Sequence, residues 1–179
     1  ALIFPNFLKT AAIAIDGCEH NKIPCILYNS DLDGAAKHIY QTPGAISKYW
    51  IAQLIPDYEG SSEALTTQLV KAATKLEKGV MSIVGVNGYS ADSPAVKRER
   101  GLKKALSGRQ DITLHQVFYT DWSEADAYQR TAGFLPRYPD TNIIWSANYR
   151  TTTGILKALK EANLRPGKDV VVNSYDIDP

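Results

Sequence analysis

The sequence predicts an α/β protein built on a doubly wound parallel sheet, and three observations carry that expectation. Short β-branched and aliphatic runs alternate along the chain with longer segments of helical period. Several short runs, such as "NIIWSA" and "VVVNSY", are apolar almost without a break, as strands covered on both faces are. Caps, glycines and prolines fall where a succession of βαβ units needs its turns.

The elements follow in order. "ALIF" reads as a strand, the amphipathic "FLKTAAIAIDGCEHN" as a helix and "IPCILYN" as the next strand. The stretch from Asp31 to Lys48 is the least regular and reads as a loop or hinge. "YWIAQLI" is a strand, and "SSEALTTQLVKAATKLEKG" a helix with its stop at Gly79. "VMSIVGV" leads into "SPAVKRERGLKKAL", where Ser93 and Pro94 read as N-cap and first helical residue. "DITLHQVFY" precedes "SEADAYQRTAGFLPRY", with Ser123 and Asp126 spaced as a capping box that carries Asp in place of Glu. "TNIIWSA" precedes "YRTTTGILKALKEANL", and a Pro-Gly turn leads to "KDVVVNSY".

Composition limits the function classes. The chain has 179 residues, is 44% hydrophobic and carries a formal net charge of +1, so no global field draws in nucleic acid or an acidic membrane. No apolar run reaches the roughly 18 to 20 residues of a membrane span. The start at "ALIFPN" reads as a strand, which suits a mature or trimmed piece. Cys18 and Cys25 do not have the spacing of a metal knuckle or a redox pair and read as structural, with a local disulfide as the alternative in an exported protein.

In an open α/β sheet, ligands bind beyond the carboxyl ends of the strands. The residues there are Asn29, Asp57, Asn87, Trp122, Asn148 and Asp176. Amides and carboxylates match the donors and acceptors of hydroxyls, and a flat aromatic covers an apolar sugar face. Any one of these polar residues can equally cap a helix or fill a turn. On a helical wheel Leu102 lies near +40° from Arg98 and Ala105 near −20°, at about 100° per residue, which puts Arg98 on the buried stripe. Arg100, Lys103 and Lys104 face water. Placed in the first helical turn, where the dipole disfavours a cation by roughly 0.3 to 1 kcal/mol, Arg98 needs a partner. That partner is either an internal carboxylate or a ligand oxygen held by the guanidinium fork.

"KRERGLKKAL", "TDWSEADAYQRTAGFLPRYPDTNIIWSAN", "GILKALKEANLRPGKDVVV" and "NSYDIDP" together resemble the periplasmic sugar-binding proteins of type I. These include ribose-binding and autoinducer-2-binding proteins, with the effector domains of lac-repressor-like regulators as cousins. The resemblance implies a periplasmic-binding-protein type I fold with two Rossmann-like lobes, joined by crossover strands and closing on a sugar. It implies that residues 1–55 are the end of the first lobe with the crossover, and 56–179 the second lobe without its return. About 90 residues at the front and a segment at the back are then missing relative to the usual domain size. By motif, the sugar-binding arginine corresponds to Arg98 and the stacking aromatic to Trp122. The amide after the sixth strand corresponds to Asn148, and the final acid to Asp176, with Tyr175 in place of Phe. In the first lobe an Asp-Arg pair aligns with Asn29 and Ser30, removing both charges, and Asn6 is a further contact.

The function implied is a non-catalytic solute-binding protein, periplasmic or held at the cell surface as a lipoprotein, that delivers a sugar to an ABC transporter. The alternatives are an effector domain of a transcriptional regulator or a receptor coupled to a sensor kinase. No cofactor, metal or nucleic acid is expected. Enzyme motifs are absent: His20, His38 and His115 are scattered, His115 reading as a core residue of its strand. "GVNGYS" falls short of a dinucleotide fingerprint. Asp176 and Asp178 resemble a carboxylate pair without the contrasting environments that acid/base work needs.

Overall fold

A computed structural model describes residues 1–7, 9–32, 34–76 and 79–176; Asp178 therefore lies outside the described residues. The chain divides into two compact units, Ala1–Asp57 with Ala91–Pro94, and Tyr58–Ser90 with Ala95–Pro179.

The first unit holds strands β1 (Leu2–Pro5), β2 (Cys25–Tyr28) and β3 (Trp50–Leu54), with helices α1 (Ala11–Asn21) and α2 (Gly34–Tyr40). Its sheet is parallel in the order β1-β2-β3. Ala11, Ile15 and Cys18 of α1 pack on Cys25, Leu27 and Trp50, which places the core on one face of the sheet. Both cysteines are buried free thiols, and burial together with Cys18 pushes the Cys25 thiol up to about 12. Two expectations shift here. The helix begins at Ala11 rather than Phe7, because Lys9 adopts a left-handed φ of 64° that no helix continues through. Within 31–48, taken as irregular, residues 34–40 form α2, which buries Tyr40.

The second unit carries β4 (Met81–Asn87), β5 (Ile112–Tyr119), β6 (Ile143–Ser146) and β7 (Val171–Val172), with α3 (Tyr58–Ala73), α4 (Ser93–Leu106, whose first two residues count with the first unit), α5 (Glu124–Phe134) and α6 (Tyr149–Glu161). The sheet is parallel in the order β5-β4-β6-β7. Its winding on both faces is visible in alternate residues of one strand. Ile83 joins Leu69 and Val70 of α3 and Leu102 of α4 on one side. Val84 and Val86 join Ala127 and Phe134 of α5 and Ile155 and Leu159 of α6 on the other. Every residue of β4 is buried, as its uninterrupted apolar run requires. The helix after β4 thus covers one face and the helix after β6 the other. The crevice between their carboxyl ends is a topological switch point.

Close packing fixes α4 against α3 at Gly101, where a Cβ would stand 2.3 Å from the Glu59 carbonyl oxygen and 2.7 Å from the Ser62 Cβ. The strand expected over 168–175 pairs with β6 only at Val171–Val172. Beyond it, the side chain of Asn173 replaces the ladder, accepting from Ser146 N at 2.9 Å and donating to Ser146 O at 2.7 Å. Helix α5 stops at Phe134, ahead of Pro136, rather than running to Tyr138. Ser123 caps it by accepting from Asp126 N at 3.1 Å. The reciprocal half of the box does not form, because Asp126 Oδ2 accepts from Asp121 N instead. His115 is not a core residue. It sits where the β4–β5 register shifts, half-buried at the rim, stacked on Tyr138 at 4.6 Å and 3.2 Å from Asp140 Oδ2.

Candidate functional site

Arg98 is the sixth residue of α4, in the second turn rather than the first, so the dipole penalty expected for it largely lapses. The inward placement holds: Arg98 is 7% exposed, on a stripe with Ala95, Gly101 and Leu102, while Arg100, Lys103 and Lys104 are exposed. The helix is moored to the strand that precedes it. Asn87, at the end of β4, donates through Nδ2 to Ala95 O at 3.1 Å and to Glu99 Oε2 at 3.4 Å, and accepts from Gly88 N at 2.9 Å. Asn87 is therefore the cap-and-turn residue among the strand-end amides.

From that position the Arg98 guanidinium reaches across the switch point. Nη1 donates to Ala147 O, just past β6, at 2.7 Å. Nη2 stands 3.8 Å from Asp176 Oδ1, longer than a direct charge-assisted hydrogen bond. Nε is buried and has no hydrogen-bond partner among the described residues. The flat cation lies 4.0 Å from the ring centre of Tyr175, 4.6 Å from that of Tyr58 and 5.8 Å from that of Trp122. Aromatic faces offset part of the solvation that burial removes, at about 2 kcal/mol for a close, desolvated stack. Both sequence readings of Arg98 thus meet in one place. An internal carboxylate lies nearby, but at a separation that leaves the fork incompletely satisfied.

Trp122 is held in a strained backbone, with φ at 69°. Its N–H donates to Thr120 Oγ1 at 3.1 Å, and Thr120 in turn donates to Asn87 O, which fixes the turn to β4. The indole lies directly over Gly88. A Cβ at that position would come within 1.9 Å of the ring, so glycine is required. "GVNGYS" is accordingly a seat for the indole and not a phosphate cradle.

Asp176 is 43% exposed at its side chain and therefore faces open solvent at the sheet's carboxyl edge. Asn148 caps α6, its Oδ1 accepting from Thr151 N at 2.8 Å while Thr151 Oγ1 accepts from Asn148 N. The capping alternative raised from sequence thus accounts for the Asn148 oxygen, and the Nδ2 end of the amide is outside that cap.

Residues not singled out from sequence complete the site. Tyr58, the first residue of α3, is 3% exposed and forms one wall for Arg98. Burial raises its hydroxyl above the ordinary tyrosine range, Asp176 and Tyr175 add to this, and Arg98 opposes it. An aromatic directly after the strand-end Asp57 was the available signal, the same kind that marked Trp122. Glu99 lies beside Arg98 on α4 but turns to Lys103 at 2.7 Å and to the Tyr119 hydroxyl at 2.7 Å. Burial pushes its carboxyl up, yet those partners and Asn87 outweigh it and hold Glu99 below the usual carboxylate range.

The candidates in the first unit form their own group at the carboxyl end of its sheet. Asn6 is buried, its amide donating to Asp31 O at 2.8 Å and accepting from Ala11 N at 3.0 Å. Asn29 is exposed in a left-handed conformation (φ 64°), and Ser30 is buried. Asp31, unremarked in sequence, accepts from Gln53 at 2.7 Å and from Lys37 at 2.9 Å.

The family described as "Periplasmic binding protein domain" matches residues 1–179. Galactofuranose-binding protein YtfQ of Escherichia coli (strain K12) is 23% identical over 158 residues, covering 87% of this chain and 46% of its own. An ABC transporter periplasmic solute binding protein from Actinobacillus succinogenes 130z, solved with bound D-allose, superposes with a TM-score of 0.82 at 22% identity, covering 98% of this chain and 58% of that one. The periplasmic binding protein of the arabinose ABC transporter from Shewanella sp. ANA-3, bound to α- and β-L-arabinofuranose, gives 0.70 at 18% identity, over 89% and 49%. The chain spans about half the length of the curated relative it matches.

Proposed function

The chain belongs to the periplasmic binding protein domain family, and on that footing we propose that it is a non-catalytic solute-binding protein that takes a neutral sugar, in the furanose or pyranose form, for an ABC transporter. The observation that carries the reading is the Arg98 fork, set against the rings of Tyr58 and Tyr175 with Asp176 Oδ1 3.8 Å from Nη2. A hydroxyl can accept from the guanidinium and donate to the carboxylate at once, which suits a pair too far apart to bond directly. Trp122 supplies a flat apolar face for the ring, and the Asn148 Nδ2 group a further donor. Tyr175 adds its ring to the wall. In the first unit Asn29, Ser30 and Asn6 are the contacts proposed by motif, with Asn29 the most exposed of them.

The charge balance argues for a neutral ligand. Asp176 balances the charge of Arg98 and Lys103 that of Glu99, so among the described residues the site carries no net positive charge for a carboxylate or phosphate. Export to the periplasm belongs to the same proposal; among the described residues no helix is long and apolar enough to cross a membrane. The transporter is the output favoured, since the matched proteins named above include ABC transporter components and none of them speaks for a sensor kinase. A thermal-shift screen of the intact protein against L-arabinose, D-galactose, D-allose and polyols tests the reading. A rise in melting temperature with one or more sugars supports it, and no rise with any of them overturns it.

A further inference from the structure

The hydroxyl of Tyr175 has no counterpart in the Phe that the related motif carries, and its surroundings give it a task. After β7, Asn173 is tied to β6 by its paired hydrogen bonds with Ser146. Ser174 Oγ then bonds only within its own segment, to Asp176 O at 2.6 Å. Among the described residues, the hydrogen bonds that join 174–176 to another element run through the Tyr175 hydroxyl. That oxygen pairs with Ser61 Oγ and donates to Tyr58 O at 3.2 Å, both in the first turn of α3. The same ring lies 4.0 Å from the Arg98 guanidinium, and the next residue is Asp176. A phenylalanine would keep the stack on Arg98 but leave the segment without this tether.

We propose that Tyr175 is a positioning residue: its hydroxyl latches the strand-end segment to α3 through Ser61 and the Tyr58 carbonyl, and so sets the distance from Asp176 to Arg98. The inference rests on the ligand-binding reading above for its consequence, though the latch itself can be measured without ligand. The hydroxyl acts on ligand through Asp176, by keeping the carboxylate where a bridging sugar hydroxyl needs it. Loss of the latch lets Asp176 sample positions that cannot share a hydroxyl with the fork, which lowers the population of binding-competent protein.

The test compares the intact protein with Tyr175→Phe, Ser61→Ala and the double variant. Without ligand, the backbone order parameters of 174–176 from 15N relaxation are expected to fall in either single variant and no further in the double. With L-arabinose and D-allose as probes, Kd is expected to rise roughly three- to ten-fold in Tyr175→Phe, the loss of about one hydrogen bond. The melting temperature without ligand stays within a few degrees. Order parameters at 174–176 equal to wild type, or additive effects of the two substitutions, would overturn the latch. Should wild type bind neither of these sugars, nor D-galactose or a polyol, the solute-binding reading fails on its own, and the order parameters alone decide the latch.

Discussion

Replacing Arg98 by Met separates a ligand contact from a structural ion pair, because the two roles predict opposite outcomes. Methionine keeps most of the stem and fills the space beside Tyr58 and Tyr175 without charge. The losses are the Nη1 bond to Ala147 O at 2.7 Å, at roughly 1.5 to 3 kcal/mol for a charged hydrogen bond, and two close ring stacks at about 2 kcal/mol each. Against them stands relief from burying a guanidinium that is 7% exposed, which is worth several kcal/mol. Its Nε, without a hydrogen-bond partner among the described residues, adds a further cost of about 1 to 3 kcal/mol that the substitution removes. The terms nearly cancel, so stability without ligand should move by no more than about 2 kcal/mol, or roughly 4 to 8 °C in a chain of this size. Binding should suffer far more: losing a charged fork of about 1.5 to 3 kcal/mol raises Kd by roughly ten- to a hundred-fold. Differential scanning fluorimetry with and without L-arabinose or D-allose reads both quantities. A variant as stable as wild type that still binds with unchanged affinity would refute the role of Arg98 as a ligand contact. A variant that no longer folds would show that its partner is internal.

Other substitutions probe the supports of the site. Gly88→Ala places a methyl within 1.9 Å of the indole and should eject Trp122, seen as a red-shifted tryptophan emission and a loss of sugar affinity of at least ten-fold; an unchanged spectrum would contradict the seating of Trp122 on Gly88. Glu99 titrates below its ordinary value in the folded state. Its stabilisation is therefore present above the unfolded carboxylate pKa and is lost as pH falls through the folded value, so Glu99→Gln should flatten the acid side of a melting-temperature profile. Tyr119, raised to about 12 by burial and then by Glu99, works in the opposite direction: stability is lost as pH climbs from about 10 toward 12, and Tyr119→Phe should remove that loss. Cys18 and Cys25, both buried as free thiols, should resist maleimide in the native protein and react only in denaturant. Labelling of the native protein would contradict their burial.

Periodicity made the second unit largely legible, because β4 and β6 are so apolar that only a sheet covered on both faces accommodates them. The wheel of α4 likewise found Arg98, since a charged residue on an apolar stripe has few explanations. Three features escaped sequence. Tyr58 carried only a weak signal, an aromatic directly after the strand-end Asp57, and it becomes a site residue through the packing of α3 against Arg98. Asn87 and the Asn148 oxygen could be read as ligand groups or as caps and turn residues: Asn148 caps α6 through Thr151 N, and Asn87 holds its turn through Gly88 N and α4 through Ala95 O. The end of β7 was invisible because Asn173 imitates backbone pairing with its side chain. The strained turn at Trp122 is half legible: its large apolar ring at a strand end is conspicuous, whereas Gly88, which makes room for it, lies in a run whose glycines match no binding motif.

The central claim is that the Arg98–Asp176 pair, walled by aromatic rings, reads the hydroxyls of an uncharged sugar. Titration calorimetry of the intact protein with L-arabinose, D-galactose and D-allose, run beside D-galacturonate, tests it most directly. Saturable binding of at least one neutral sugar, with the acid sugar at least ten-fold weaker, is the result predicted from the balanced charges of the site. Binding of galacturonate in preference to every neutral sugar, or heat from none of them, would contradict it.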